Sequence, residues 1–362
     1  SYTRFYSRHT VIAGIDMSQV SSQRTRLGAA ERFEEMNQSS SNYGFFVQDE
    51  WKPVGKLVVK PGLRLTAYHS LIDGTKDPVT FLPEPRIMLT NATGPVVIKA
   101  AAGRYFQFIH RIRTQSLFLN SPDFWSVSGD GFLPALRSDQ VMAGVTYTLR
   151  GWTLDIEGYR KWSSGVTENL AAYYMYGELS ATGRDSILTG TGKSVGADVL
   201  LKKEFNGSQL WLSYSWNSTM NALSGLQYEI PANFIQPHEF KAYYERKWRR
   251  WECSAAFVFG SGRYYTPLVG SQEVAGQITP LYGNLNSSRL PDYHRVDISG
   301  SWLFQSGDNE GKLTLSFYNV YNKKNIRDIQ YIKLSDAETV RFVERRIEML
   351  GILPAINFQY TF

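Results

Sequence analysis

A chain of 362 residues with 43 % hydrophobic content holds no run near the roughly 18 apolar residues a membrane helix needs, which excludes a helical membrane protein. The net charge of +6 is spread along the chain and defines no nucleic-acid surface; the cluster Arg246–Arg250 reads as a tight turn instead. The single cysteine, Cys253, excludes an internal disulfide, while aromatics at 14 %, with 22 Tyr and 9 Trp, suit a membrane–water interface.

Alternation with a period of two predicts strands over 2–19, 43–52, 56–69, 83–91, 95–108, 139–149, 152–162, 193–205, 208–219, 238–248, 251–260, 293–304, 312–321 and 352–361. Trp152 to Tyr159 shows the pattern. One face carries Trp152, Leu154, Ile156 and Gly158, and the other Thr153, Asp155, Glu157 and Tyr159. A polar row opposite an apolar one means that one face of the sheet is wet.

The connections alternate short and long. Short ones fall at Pro53–Gly55, Ala92–Gly94, Arg150–Gly151, Asn206–Gly207, Arg249–Arg250 and Gln305–Gly311. Long ones run over 20–42, 70–82, 109–138, 163–192, 220–237, 261–292 and 322–351. The last could extend a hairpin through Ile326–Leu334 and Val340–Ile347, or hold a short helix around Ala337–Leu350. Outer-membrane barrels have short periplasmic turns at one rim and longer extracellular loops at the other. A closed barrel pairs all backbone groups between strands, so it can span lipid with one face polar. The expected fold is therefore all-β, a transmembrane antiparallel up-and-down barrel of about fourteen strands over the whole chain. A soluble β-sandwich explains the alternation of residues but not that of connection lengths. Parity places Ser1 and Phe362 at the periplasmic rim. No leader is seen at Ser1, so the chain reads as mature or as a fragment that begins inside a domain.

Several stretches carry a family likeness. They are Tyr43-Gly-Phe-Phe-Val-Gln-Asp-Glu-Trp51, Pro83-Glu-Pro-Arg-Ile87, Ala102-Gly-Arg-Tyr-Phe-Gln107 and Gly260-Ser-Gly-Arg-Tyr-Tyr-Thr-Pro267. The most specific are Arg289-Leu-Pro-Asp-Tyr-His-Arg-Val-Asp297, Phe317-Tyr-Asn-Val-Tyr-Asn322 and the closing Ile352 to Phe362. In this order they resemble the C-terminal part of the barrel of a TonB-dependent outer-membrane receptor of the Bacteroidetes type. The resemblance implies the later part of a 22-stranded barrel, with the plug domain, first strands and coupling motif not present in this chain. It implies import of a scarce nutrient: an iron chelate, a corrinoid, an oligosaccharide or a peptide. Expected partners are that nutrient, outer-membrane lipid and lipopolysaccharide, an inner-membrane energy-coupling protein acting through the plug, and a surface lipoprotein. The alternative is a passive porin or an interaction barrel in a surface complex. The resemblance also makes Phe358, Tyr360 and Phe362, on one face of the last strand, a barrel-assembly signal.

No catalytic centre, cofactor or metal site is expected. The five histidines pair with no Cys or second His at ligand spacing, and no Gly-x-Ser-x-Gly elbow occurs. His238 and Glu239 are neighbours on a strand and point to opposite faces. Gly190-Thr-Gly-Lys-Ser194 lacks the full phosphate-loop frame and reads as a flexible loop. Ligand contacts are expected in the long loops, because loops at a barrel mouth vary on a rigid frame. The candidates combine Arg and His with aromatic rings: His110, Arg111, Arg113 and Trp125; Tyr173, Tyr174 and Tyr176; Arg263, Tyr264 and Tyr265. Such sets stack planar or sugar-like groups and pair with anions.

Overall fold

The computed structural model describes residues 1–27, 33–112, 124–129, 133–169, 187–274, 276–307, 309–335 and 339–361. In chain order the first strands are β1 (Tyr2–Phe5), β2 (His9–Leu27), β3 (Phe33–Trp51), β4 (Leu57–Ile72), β5 (Thr75–Lys76), β6 (Thr80–Thr93) and β7 (Val96–Gln107). β8 (Ile109–Ile112) and β9 (Phe124–Val127) form a separate hairpin. Next come β10 (Leu136–Leu149), β11 (Trp152–Asn169), β12 (Ile187–Phe205), β13 (Ser208–Leu223), β14 (Ile230–Pro231), β15 (His238–Trp248) and β16 (Trp251–Gly260). Four short strands follow: β17 (Tyr264–Tyr265), β18 (Leu268–Val274), β19 (Gln277–Tyr282) and β20 (Ser288–Arg289). The chain closes with β21 (Tyr293–Ser306), β22 (Asn309–Tyr318), β23 (Ile326–Ser335), β24 (Val340–Glu348) and β25 (Leu353–Thr361).

One antiparallel sheet runs β1–β2–β3–β4–β6–β7–β10–β11–β12–β13–β15–β16–β21–β22–β25, each long strand beside the next in the chain. Its faces separate cleanly. Ile98, Val145, Ile156, Val199 and Tyr214 stand opposite one another across five strands. One residue along, the other face reads Lys99, Gly144, Glu157, Asp198, Ser215 and Glu239. Period-two sequence thus becomes an apolar row beside a polar one, and the apolar face is the outer one in a membrane barrel. Ion pairs knit the polar face. Arg64 holds Asp16 at 2.5 Å and reaches Glu84 at 3.5 Å, and Lys99 bridges Asp155 and Glu157.

Aromatic rings edge the apolar face at both ends. Trp51, Trp152, Trp248, Trp251 and Trp302 lie near the short turns, and Tyr43, Phe81, Trp162 and Trp216 near the long connections. From Trp152 to Trp162 is ten residues on one strand. At a rise of roughly 3.3 Å and a tilt of about 40°, that spans about 25 Å, the height of a barrel's lipid band.

The short turns use the residues their geometry demands. Asn206 (φ 39°) and Gly207 (φ 75°) both take the left-handed conformation that a two-residue hairpin requires. On the last strand Phe358 and Tyr360 share the apolar face, with ring centroids 6.3 Å apart, while Phe362 lies outside the described residues.

Four expectations need correction. The segment 2–19 is not one strand: it turns at Tyr6–Arg8, where Tyr6 N–H bonds His9 C=O at 2.8 Å. Because Tyr2 pairs with Ala13, Ser1 stands within the sheet, level with Gly14, and not at the short-turn rim. Alternation continues through the turn, so periodicity alone hid it. Gly190-Thr-Gly-Lys-Ser194 is not a loop; it lies inside β12, paired with Thr219 to Leu223 on one side. Strands β2, β3, β11 and β12 also continue well past the expected ends, where polar residues on both faces carry no alternation signal. Of the two readings for the segment 322–351, the hairpin is the one formed: β23 pairs antiparallel with β24.

Candidate ligand site at the long-connection rim

Hairpin β8/β9 turns back onto the polar face of β2, β3 and β4. Gln38 Oε1 accepts from Ser126 Oγ (3.0 Å) and from Val127 N–H (3.1 Å), and Tyr68 O–H donates to Ser128 C=O at 2.5 Å. Ser22 donates to Trp125 C=O at 3.2 Å. Phe108 stacks on Tyr68 with centroids 4.4 Å apart, anchoring the root of the hairpin. An inward-folded segment with its polar groups bonded narrows the mouth on this side.

His110 is the buried centre of that hairpin, 4 % exposed. Its Nε2 lies 3.0 Å from Ser128 Oγ and 3.1 Å from Pro134 C=O. A carbonyl only accepts, so Nε2 carries a proton. Burial pushes its pKa below the ordinary value of 6.5. His110 therefore positions the hairpin, and it also lines the cavity that opens next to it.

Beside it a polar cavity of about 360 Å³ opens between the hairpin and the upper polar face of β11, β12 and β13. Arg111 and Glu168 supply its charges; Ser163, Ser194, Thr219, Asn221 and Asn233 supply hydroxyls and amides. Thr219 donates to Ser194 at 2.8 Å, and Asn233 Nδ2 donates to Glu168 at 2.9 Å. Gly192 keeps the wall open, because a Cβ there would come within 2.8 Å of Asn221 Oδ1. Ser163, Ser194, Thr219 and Asn221 were missed in the sequence because they sit on strands as ordinary polar-face residues, and Asn233 because it lies in the connection after β14. The one available signal was that the polar face of 190–194 and 217–221 is rich in Ser, Thr, Asn and Gly with few charges.

The other candidates go elsewhere. Trp125 is 57 % exposed on β9, opposite Arg111. Arg263, Tyr264 and Tyr265 belong to a separate cluster of β17–β20 and β23/β24. There Arg263 donates to Arg327 C=O (2.6 Å), Arg289 lies over Tyr264 (5.8 Å), and Tyr331 O accepts from Leu268 N–H (3.0 Å). Burial holds the Tyr265 phenol above its usual range. Arg113, Tyr173, Tyr174 and Tyr176 lie outside the described residues. Among the described residues no group of three His, Cys, Asp or Glu is placed to hold a metal ion.

The motif residues that carried the family likeness prove structural. Asn319 (φ 51°) is fully buried: its N–H donates to Asp297 (2.9 Å), its Nδ2 to Lys323 C=O (2.8 Å) and Leu350 C=O (3.2 Å). Asn322 Oδ1 accepts from Ile352 N–H at 2.9 Å. Together they tie the end of β22 to the start of β25.

An up-and-down antiparallel sheet with one apolar face, two aromatic edges and turns short at one rim defines a transmembrane β-barrel. The family model described as "TonB dependent receptor-like, beta-barrel" matches residues 3–322, and the chain belongs to that family. Similar solved structures include the ferric citrate transporter FecA in its unliganded form (12 % identity, TM-score 0.66), with 99 % of this chain and 53 % of that one covered. The copper transporter OprC (14 %, 0.66, 99 % and 54 %) and the FrpB iron transporter from Neisseria meningitidis (11 %, 0.67, 99 % and 53 %) are alike in fold. The chain thus spans about half the length of these structures. No curated protein sequence matches it.

Proposed function

We propose that this chain is the later part of an outer-membrane TonB-dependent receptor that binds a scarce nutrient at its long-connection rim and passes it inward. Energy would come from an inner-membrane coupling protein acting through a plug domain. The order of the motifs suggests the Bacteroidetes type, and with it a surface lipoprotein partner. With the short turns facing the periplasm, the C-terminal end of β25 lies at the periplasmic rim. The mechanism is binding and rearrangement, with no covalent change to the cargo.

The observation that carries this reading is the inward-folded β8/β9 hairpin beside a polar cavity on the inner wall. A passive pore gains nothing from a mouth narrowed by a bonded hairpin, whereas a receptor needs a fixed surface for recognition. Among the described residues the cavity's charges are one Arg and one Glu amid neutral hydroxyls and amides. Such a lining hydrogen-bonds a neutral, polyhydroxylated or amide-rich cargo in preference to a highly charged chelate. Oligosaccharides and peptides fit it better than ferric chelates.

The test is titration of the full receptor in detergent with neutral oligosaccharides, peptides, corrinoids and ferric chelates. Binding of a neutral cargo, weakened about tenfold by Asn221→Ala, is the expected result. Saturating conductance in planar bilayers with no binding to any of the four would favour the porin alternative and sink the receptor reading.

A further inference from the structure

Strand β11 carries a bulge at the point where β10 leaves the sheet. The pairing of β10 with β11 ends at Arg137 and Ser164. Toward β12 the register then jumps: Ser164 stands opposite Thr191, and Val166 opposite Gly190. Gly165 is the extra residue, buried and at φ 83°. A bulge re-aims the side chains that follow it, and its left-handed backbone suits Gly because no Cβ collides with the chain.

The jump decides which residues face the barrel interior. Ser163 stands opposite Gly192 on the inner face. In an unbroken strand the next inward residues would be Gly165, Thr167 and Asn169. With the bulge they are Val166 and Glu168. A Cβ on Gly192 would lie 3.3 Å from Val166 Cγ1, and Asn233 Nδ2, on a side chain only 6 % exposed, donates to Glu168 Oε1 at 2.9 Å. Among the described residues lining the cavity, Glu168 is the only acid and Arg111 the only Lys or Arg. Glu168 turned inward balances that cation, whereas Thr167 and Asn169 in its place would leave the lining positive. A carboxylate accepts from hydroxyl, amide and ammonium donors and repels anions.

The same bulge touches the support of the β8/β9 hairpin. A Cβ on Gly165 would lie 2.9 Å from the Ala135 carbonyl oxygen and 3.2 Å from that of Pro134. Pro134 C=O is the acceptor for His110 Nε2.

We propose that Gly165 determines the specificity of the cavity. Its bulge turns Glu168 inward, so that the site takes donor-rich neutral or cationic cargo and rejects anions. Its backbone also seats the Pro134–Ala135 segment that holds the hairpin. The specificity half rests on the cavity being the cargo site; the geometry of the bulge does not.

The test uses the full receptor with Cys253→Ser and the pair Glu168→Cys/Asn233→Cys, bridged by a short bis-methanethiosulfonate reagent and read by mass spectrometry. The pair should bridge when Gly165 is present. Gly165→Val favours an extended backbone that absorbs the extra residue and flips those after it, so bridging should fall about tenfold. Deleting Gly165 removes the bulge together with its extra residue and leaves 166–169 in register. Bridging should then return, while amide exchange at Val127 quickens because Pro134 has lost its seat. Unchanged bridging in Gly165→Val, lost bridging in the deletion, or unchanged exchange at Val127 would each overturn the proposal. Thr167→Cys/Asn233→Cys beside an intact Gly165 serves if Gly165→Val fails to fold; bridging as strong as that of the Glu168 pair would overturn it. For the charge, Glu168→Gln should bind ferric citrate about tenfold more tightly than the unaltered receptor does, and no gain would overturn the specificity half. Bridging as expected, with neither ferric citrate nor a neutral gluco-oligosaccharide bound by any variant, would overturn the cargo site and leave the bulge geometry standing.

Discussion

The two ends of the strands are built by different rules. At the short-turn end two residues suffice, as at Asn206–Gly207, and the chain's job is only to reverse direction without leaving backbone groups unpaired. At the other end the strands overrun the lipid band, and β8/β9, β17/β20, β18/β19 and β23/β24 pair among themselves above it. One end is therefore specified by local conformation, and the other by side-chain hydrogen bonds between segments far apart in sequence. Gln38 to Ser126 and Asn286 to Pro231 are examples. Variation in ligand contacts can accumulate at the second end without disturbing the first.

The sharpest way to break the frame common to both ends is to reverse the face of a mid-strand residue. Ile156→Arg puts a charge in the lipid band and should cost about 2–4 kcal/mol, read by urea unfolding in lipid vesicles. Ser215→Arg, on the polar face between Asp198 and Glu239, should cost well under that. Equal costs would mean that the faces are assigned wrongly.

A smaller effect compares the two ends directly. Asn319→Ala removes bonds to Lys323 and Leu350 carbonyls and leaves them buried, at a cost of about 2 kcal/mol. Asn206→Ala strains one exposed turn and should cost about 1 kcal/mol. If the turn variant proves the more damaging, the β22–β25 tie is not the latch described above.

The smallest effect concerns pH. His110 is neutral in the closed hairpin with its pKa lowered by burial, so an opened hairpin takes up a proton more readily. Its stabilisation of the closed form is full above the ordinary value of 6.5 and is lost as pH falls through the lowered value. Amide exchange across 124–128 should quicken between about pH 7.5 and about pH 5 by more than the intrinsic rate change, and His110→Asn should abolish that excess. The same excess in the variant would remove His110 from the account.

Much of the barrel could be read directly from the chain. The faces of β10, β11, β13, β15 and β16 follow from strict alternation, because a strand between lipid and water exposes every second residue to each. Asn206–Gly207 announced its turn by residue type. The likeness in Arg289–Asp297 and Phe317–Asn322 led to the correct family, and among those residues Asn319 and Asn322 secure the fold. The break at Tyr6–Arg8 was not readable because alternation continues through it, and the overrunning ends of β11 and β12 were not because strands in water on both sides lose theirs.

What sequence alone determined, then, is which face of each strand meets lipid and where the chain reverses in two residues, because both depend on neighbours one or two positions away. The tertiary structure decided which loop residues meet. It buried His110, separated it from Arg263, Tyr264 and Tyr265, and drew Ser194, Thr219 and Asn221 from three expected loops or strand ends into one cavity. Those meetings depend on register between strands and on hydrogen bonds spanning up to 103 residues of chain, and no local pattern records them.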